Sequence, residues 1–377
     1  MNPLTPSPPS LRMPRVGIIG GGIIGCAVAR TLARRAANVT VFEERATGAG
    51  ATQASAGVLA PFVEAHEAGA LQDLTVRSLG LYDAFVEAVA SESGAAIDYA
   101  RCGSLEVALD QEEAARLAEL ASRVAGADLT WLDAPTVREM EPALTASVLG
   151  GVLAGAHGYV SAPQLTAALA ASARAAGAVF LPVRVSAVHP GARRVSVTLD
   201  GSAVRTFDRI VIAAGSWSST LAVDGVPRSP IAPVKGQLLR LRWRGPPIRR
   251  ILWSSLCYVV PQGDGTLLVG ATIEDAGFDD RPTAEGVQRL LGAARALLPE
   301  AGRAEFLEVR AGLRPASPDG LPVVGRSASS DVVLYAIGHF RNGVMLAPLT
   351  AVLLENVLFD DGQDPALTVL APGRFGL

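Results

Sequence analysis

The chain has 377 residues, 49% of them hydrophobic and only 18% charged, which fits a globular protein with room for two ordinary domains and excludes a disordered chain. A formal net charge of −3 supplies no basic field, so neither nucleic acid nor an anionic membrane surface is expected as a partner. Three scattered cysteines (Cys26, Cys102, Cys257) form no C-x-x-C pair, and histidines 66, 157, 189 and 339 lack metal-ligand spacing, so reduced thiols and no metal are expected.

Residues 1–13 are rich in proline and serine and lack the apolar segment of a signal peptide, so they read as a loose tail. No uninterrupted apolar run looks long enough to span a bilayer. A cytoplasmic setting follows from these readings as an expectation.

Residues 16–19 form a short apolar run suited to a buried parallel strand. Gly20 to Gly25 then match G-x-G-x-x-G. Gly20 allows the sharp turn, Gly22 lets backbone approach a pyrophosphate, and Gly25 lets a helix pack close to the sheet. The helix that follows keeps Ile24, Ala27, Val28 and Leu32 on one face, with Arg30, Arg34 and Arg35 toward its C-terminal end, where positive charge is favoured. Residues 39–42 form a second strand with Glu43 at its end. That acid suits the two ribose hydroxyls of an adenosine and disfavours a 2′-phosphate. FAD and NAD both remain open at this point.

Residues 49–58 are small and polar and suited to lying flat along a long ligand. Residues 69–92 carry Leu71, Leu74, Leu81, Phe85 and Val89 at amphipathic helical spacing. Residues 97–109 read as strands turning at Gly103, residues 111–125 as a helix, and Pro135 and Pro142 bracket a short helical piece. Strand returns at 151–153. Ser161 reads as an N-cap, with Pro163 in the first turn of an alanine-rich helix that ends at Gly177. Residues 179–188 are extended, 195–207 form a hairpin around Asp200-Gly201, and 209–215 form a buried strand ending in a glycine turn. Three β-rich runs (234–243, 251–260, 266–273) predict an antiparallel sheet, followed by a helix near 283–298 and a strand through Leu307 and Val309. A strand at 332–337 then leads through a second glycine loop, 338–343, into a buried apolar helix over 344–358.

These features together resemble the D-amino-acid oxidase-like family of FAD enzymes, and more narrowly the glycine oxidases of bacterial thiamine biosynthesis. The residues that carry the resemblance are Gly20–Gly25 with Glu43, 54–57, 213–215, 233–237, 257–261 with 269–272, 312–315 and 338–343. It covers nearly the whole chain beyond the tail. It implies an α/β protein: a Rossmann-type FAD-binding domain from residues 14–90, 150–225 and 305–377, with a discontinuous α+β substrate domain from 91–149 and 226–304 built on an antiparallel sheet.

The resemblance also assigns roles. FAD contacts are implied at Gly20, Gly22, Ile23, Ile24, Gly25, Glu43 and Glu44. Further contacts fall at Ala51, Thr52, Ala56, Gly57 and Val58, at Val183, and at Ala214 and Gly215. The last set is His339, Phe340, Arg341, Asn342, Gly343, Val344 and Met345, whose backbone should approach the flavin pyrimidine edge. Arg314 is the expected carboxylate anchor, because a planar guanidinium takes a carboxylate through two parallel hydrogen bonds. Tyr258, alternating with Leu256 and Val260 on its strand, is expected to donate to the same carboxylate, with Arg341 near flavin and substrate. Val58, Leu256 and Ile273 are expected pocket walls. Related sarcosine oxidases attach flavin through a cysteine near the C-terminal arginine region. This chain has none beyond Cys257, so non-covalent FAD is expected. The implied reaction is oxidation of glycine or another small amine or D-amino acid by hydride transfer, giving imine and hydrogen peroxide, with oxygen as acceptor and a homotetramer as the assembly. The competing readings are a D-amino-acid dehydrogenase with a carrier acceptor and a flavin-binding subunit of a larger complex.

Overall fold

The computed structural model describes residues 13–64, 69–123, 128–360 and 362–377. The expected tail, apart from Met13, and His66 lie outside them.

Five parallel strands and one antiparallel edge strand form the central sheet. Its order is Val323–Arg326, Val333–Ile337, Arg209–Ile212, Arg15–Ile19, Asn38–Phe42 and Val179–Leu181. Alternation along these strands fills two cores. Val16, Ile18, Val39, Val41 and Val211 face the helices Ile23–Arg34, Ala162–Ala175 and Gly343–Phe359. Ile19, Phe42, Ile210, Ile212 and Tyr335 face a four-stranded sheet that contains the expected hairpin, Val195–Leu199 with Val204–Phe207. Burial on both faces explains why these strands read as unbroken apolar runs.

The second layer is an eight-stranded sheet, ordered Glu305–Ala316, Ala232–Arg242, Thr266–Gly270, Tyr258–Pro261, Ile251–Trp253, Ser104–Ala108, Gly150–Ala154 and Leu129–Asp133. All its pairings are antiparallel except that of Ile251–Trp253 with Ser104–Ala108. Gly150–Ala154 and Glu305–Ala316 pair within this sheet. We therefore propose a division between FAD-binding and substrate domains that follows the pairing and puts both strands on the substrate side.

Several local expectations are corrected. The 69–92 pattern is two helices, Ala70–Leu79 and Tyr82–Ser93. The amide of Leu81 bonds to the carbonyl of Ser78, three residues back, so the chain tightens at Gly80 and restarts. Residues 179–188 split into Val179–Leu181 and Val185–Pro190, which join different sheets. The 251–260 run is a hairpin of Ile251–Trp253 and Tyr258–Pro261, so Leu256 sits in its turn and not on the strand. Ser161 holds the N-cap position of Ala162–Ala175, but its side chain makes no cap hydrogen bond. Arg30 and Arg34 do more than meet the helix C-terminus. Both pair with Glu92 of Tyr82–Ser93, at 2.6 and 2.8 Å.

By length and mean hydropathy one helix among the described residues, Phe340–Phe359, could cross a bilayer, but Arg341 and Glu355 interrupt it and 67% of its apolar window is buried inside the protein. Pro348 lies within this helix and removes the N–H that would bond to Val344. The buried Tyr82 hydroxyl takes that place, donating to the Val344 carbonyl at 2.5 Å, while Ser78 Oγ donates to Met345 at 2.6 Å. The pair Ala70–Leu79 and Tyr82–Ser93 thereby fixes the first turn of the helix Gly343–Phe359.

Candidate active site

One cavity of about 690 Å³ runs along the junction of the two layers, lined both by the glycine turn and by the eight-stranded sheet. At the turn, each glycine shows its own constraint. Gly20 has φ +111°, and a methyl group there would lie 2.3 Å from the Ala213 carbonyl oxygen. A methyl on Gly25 would lie 1.9 Å from the Gly20 oxygen, so the helix touches the turn backbone to backbone. Around Gly22 the nearest atom is Thr52 Oγ1 at 3.5 Å, which leaves this position open to the cavity. A methyl there would fill space that a ligand needs, and this cradle fits a dinucleotide pyrophosphate at the helix N-terminus.

Thr52 Oγ1 also accepts the first helix amide, Ile23 N–H, at 3.2 Å. Glu43 closes the end of its strand with Oε2 on the Gly21 amide (2.7 Å) and Oε1 on the Arg45 amide (2.9 Å). These bonds fix the carboxylate and leave each oxygen a second lone pair for a hydroxyl.

At the other layer, Arg314 and Tyr258 stand on strands separated by two others. Each side chain lies across a glycine of the neighbouring strand. A methyl on Gly236 would fall 2.2–2.3 Å from three guanidinium atoms of Arg314, and one on Gly270 would fall 2.4 Å from the Tyr258 phenol. Without these glycines neither side chain could lie flat on the sheet. Arg314 Nη1 donates to the Thr272 carbonyl at 3.0 Å and to the Lys235 carbonyl at 3.4 Å. Tyr258 packs on Trp253, ring centroids 4.9 Å apart. Both side chains are half-buried and line the cavity.

Gly236→Ala is expected to leave folding and FAD content unchanged, because the atoms it meets are the far end of a flexible side chain. The displaced guanidinium should raise KM for an amino-acid substrate about ten- to a hundredfold. Steady-state kinetics alongside the FAD-to-protein ratio check this, and an unchanged KM would disconnect Arg314 from substrate.

The second glycine loop arrives beneath the same cavity. Phe340 adopts φ +46°, uncommon for a bulky residue, where the chain turns toward the helix Gly343–Phe359. His339 is fully buried, its Nε2 2.9 Å from Thr350 Oγ1, and burial pushes its pKa from 6.5 down to about 3. Burial and then the Arg101 charge push His157 down to about 3 as well. Unfolding lets both imidazoles take up protons between roughly pH 6.5 and 3, so protonation favours the unfolded chain there. Their contribution is constant above about pH 6.5 and turns destabilising as pH falls, by up to about 1.4 kcal/mol per unit for each histidine. Thermal midpoints should therefore drop between pH 7 and 5, less steeply in a His157→Asn variant. An equal drop in both would rule out the titration of His157.

All the sequence-predicted residues line this cavity except Gly25, which stands behind the turn and acts through packing. That includes Ile24, Glu44, Ala51, Ala56, Gly57, Val58, Val183, Ala214, Gly215, Arg341, Asn342, Gly343, Val344 and Met345, together with the expected walls Leu256 and Ile273. The sequence reading gave no site role to Trp253, Ser254 and Ser255 at the sheet end, nor to Gly236 and Gly270, although the two glycines lie in segments that carry the resemblance. It also missed Arg45 and Trp217, which stack with the guanidinium 4.3 Å from the ring centroid. Trp253 was in principle readable as a tryptophan five residues before Tyr258. The glycines were not, because their partners lie on other strands. Among the described residues no group of three or more His, Cys, Asp or Glu is placed to hold a metal.

The sequence profile described as FAD dependent oxidoreductase (DAO) matches residues 15–356. The chain is 34% identical to the glycine oxidase of Geobacillus kaustophilus, over 91% of this chain and 92% of that protein. It is also 34% identical to the bifunctional protein ThiO/ThiG of Synechocystis sp., covering 95% of this chain and 53% of that longer protein. The crystal structure of glycine oxidase from Geobacillus kaustophilus superposes with a TM-score of 0.90 at 32% identity, covering 95% of this chain and 98% of that one.

Proposed function

Because the chain belongs to the DAO family of FAD dependent oxidoreductases, we propose that it is an FAD enzyme that oxidises glycine or a similarly small amine or D-amino acid. The observation that carries this reading is the placement of Arg314 and Tyr258, on their glycine floor, in the same cavity as the Gly20–Gly25 turn.

In this reading the first turn of Ile23–Arg34 holds the pyrophosphate, Glu43 holds the adenosine ribose, and the backbone at 339–345 meets the flavin ring. FAD held there would supply a two-electron acceptor for the substrate α-hydrogen, lost as hydride, with oxygen as the final acceptor and imine and hydrogen peroxide as products. Arg314 fixes the substrate carboxylate through parallel hydrogen bonds, and the Tyr258 hydroxyl donates to the same group. Arg341 adds a second cation at the loop that enters the helix Gly343–Phe359. The carboxylates among the described lining residues are Glu43 and Glu44, at the ribose end. That supports hydride loss from a neutral amine, without a side-chain base, with the protein's part being orientation. Water converts the released imine to glyoxylate, or another oxo acid, and ammonia.

The likeness to proteins named ThiO/ThiG supports a role in forming the thiazole of thiamine. A cytoplasmic homotetramer completes the proposal, as the glycine oxidase resemblance implies, and sedimentation of the purified protein tests the assembly.

The deciding experiment is anaerobic reduction of the yellow protein by glycine, sarcosine, D-alanine and D-proline, followed by air and a peroxide assay. Bleaching by glycine with peroxide on reoxygenation is expected. Bleaching only by larger D-amino acids, with slow reoxidation, would favour a dehydrogenase with a carrier acceptor. Bleaching by none of them would overturn the substrate class.

A further inference from the structure

Beneath the glycine floor lies a polar cluster that the proposed reaction does not use. Its centre is Glu274. One carboxylate oxygen, Oε1, accepts from Gln237 Nε2 at 2.7 Å and from the hydroxyl of Thr272. The other, Oε2, lies 3.3 Å from Nζ of Lys235, whose side chain is only 2% exposed. Glu274 and Lys235 also exchange backbone hydrogen bonds, N–H to carbonyl in both directions, at 2.9 and 3.0 Å. Thr272 is tied to Gln237 in turn, its Oγ1 accepting the Gln237 amide at 2.8 Å and its own amide donating to the Gln237 carbonyl at 3.2 Å. Gln237 is fully buried and continues the cluster to Thr283, at the start of the helix Ala284–Leu297.

Lys235 and Thr272 are the two residues whose carbonyls hold Arg314 Nη1. They are 37 residues apart in sequence, and Glu274 binds the side chains of both. A carboxylate is suited to this: it accepts from several donors at once and balances the buried ammonium.

We propose that Glu274 is a positioning residue for the substrate carboxylate, acting through Arg314 by fixing the two carbonyls on which the guanidinium rests. The inference rests on the reading of Arg314 as the carboxylate anchor.

The test uses holoenzyme and glycolate, a carboxylate of glycine's size, with its Kd read from the shift of the flavin absorbance bands. Four proteins are compared: the parent, Glu274→Gln, Arg314→Ala and the double variant. Glu274→Gln is expected to weaken glycolate about tenfold and to raise KM for glycine with kcat little changed. In the Arg314→Ala background the same substitution should change the glycolate Kd by less than about twofold, because the seat it disturbs no longer holds anything. An equal loss in both backgrounds, or no loss in either, overturns the proposal. If Arg314→Ala itself leaves glycolate binding intact, the anchor reading fails and this inference with it. If Arg314→Ala loses glycolate while Glu274→Gln does not, only this inference fails. Should Glu274→Gln lose FAD or stability, Thr272→Val carries the same comparison. It removes the hydroxyl link but keeps the carbonyl and the Lys235–Glu274 pair.

Discussion

Arg314→Ala is expected to lower kcat/KM for glycine by roughly a hundredfold or more while the purified protein stays yellow. Truncating one partner of a hydrogen-bonded charge pair costs about 2–5 kcal/mol when the other partner is desolvated. The substrate carboxylate would be such a partner in a cavity walled by Trp253 and Tyr258. Because the guanidinium would bind the substrate carboxylate and not the breaking C–H bond itself, most of the loss should fall on KM, with a share on kcat from lost orientation. Arg314→Lys should recover only part of it, since an ammonium keeps the charge but cannot form the parallel pair of bonds. Steady-state kinetics with a flavin-to-protein ratio decide the matter. A variant with full flavin and unchanged kcat/KM would remove Arg314 from the substrate site.

Gly25→Ala is expected to give a colourless protein, with FAD affinity reduced by more than about a hundredfold. The added methyl meets a backbone oxygen at 1.9 Å, and neither side can give as a flexible side chain would. The helix Ile23–Arg34 must back away from the turn, and its first-turn amides leave the pyrophosphate with it. Gly22→Ala makes the informative contrast. Its methyl finds no protein atom nearer than 3.5 Å, so it should leave the thermal midpoint of the apoprotein near that of the parent and obstruct only the ligand. Thermal midpoints and FAD titration by quenching of flavin fluorescence separate the two. A yellow Gly25→Ala variant with parental affinity would show that the close approach of helix and turn is dispensable.

Residues 16–43 were legible in detail because most of what they specify is local. Strand, glycine turn, helix and acid follow one another, and Gly25 meets the turn itself at Gly20, although Gly20 also meets Ala213 from far along the chain. Arg314 and Tyr258 were legible only through the resemblance, since nothing in their own neighbourhoods marks them as converging. The hairpin at 251–261 stayed hidden because its turn, Ser254 to Cys257, contains no glycine, proline, asparagine or aspartate, so two strands read as one run. Glu305–Ala316 was read with the FAD-binding segments because a strand's sheet is decided by its partner, here Ala232–Arg242, more than sixty residues earlier. Gly236 and Gly270 illustrate the same limit. Their importance is the shape of a neighbour's side chain, and a one-dimensional reading carries no such neighbour.

The neighbouring strands Arg15–Ile19, Arg209–Ile212 and Val333–Ile337 come from the beginning, middle and end of the chain. A polypeptide leaving the ribosome therefore cannot complete its central sheet until Val333–Ile337 has been made, and the early glycine turn waits for Ala213 and for the helix after Gly343 before its surroundings exist. Pairings this distant make for slow assembly, with apolar strand edges uncovered in the meantime. Cells expressing this chain should accumulate more of it in usable form when synthesis is slowed by cooling and flavin is plentiful, because a ligand that binds only the finished fold draws the equilibrium toward it.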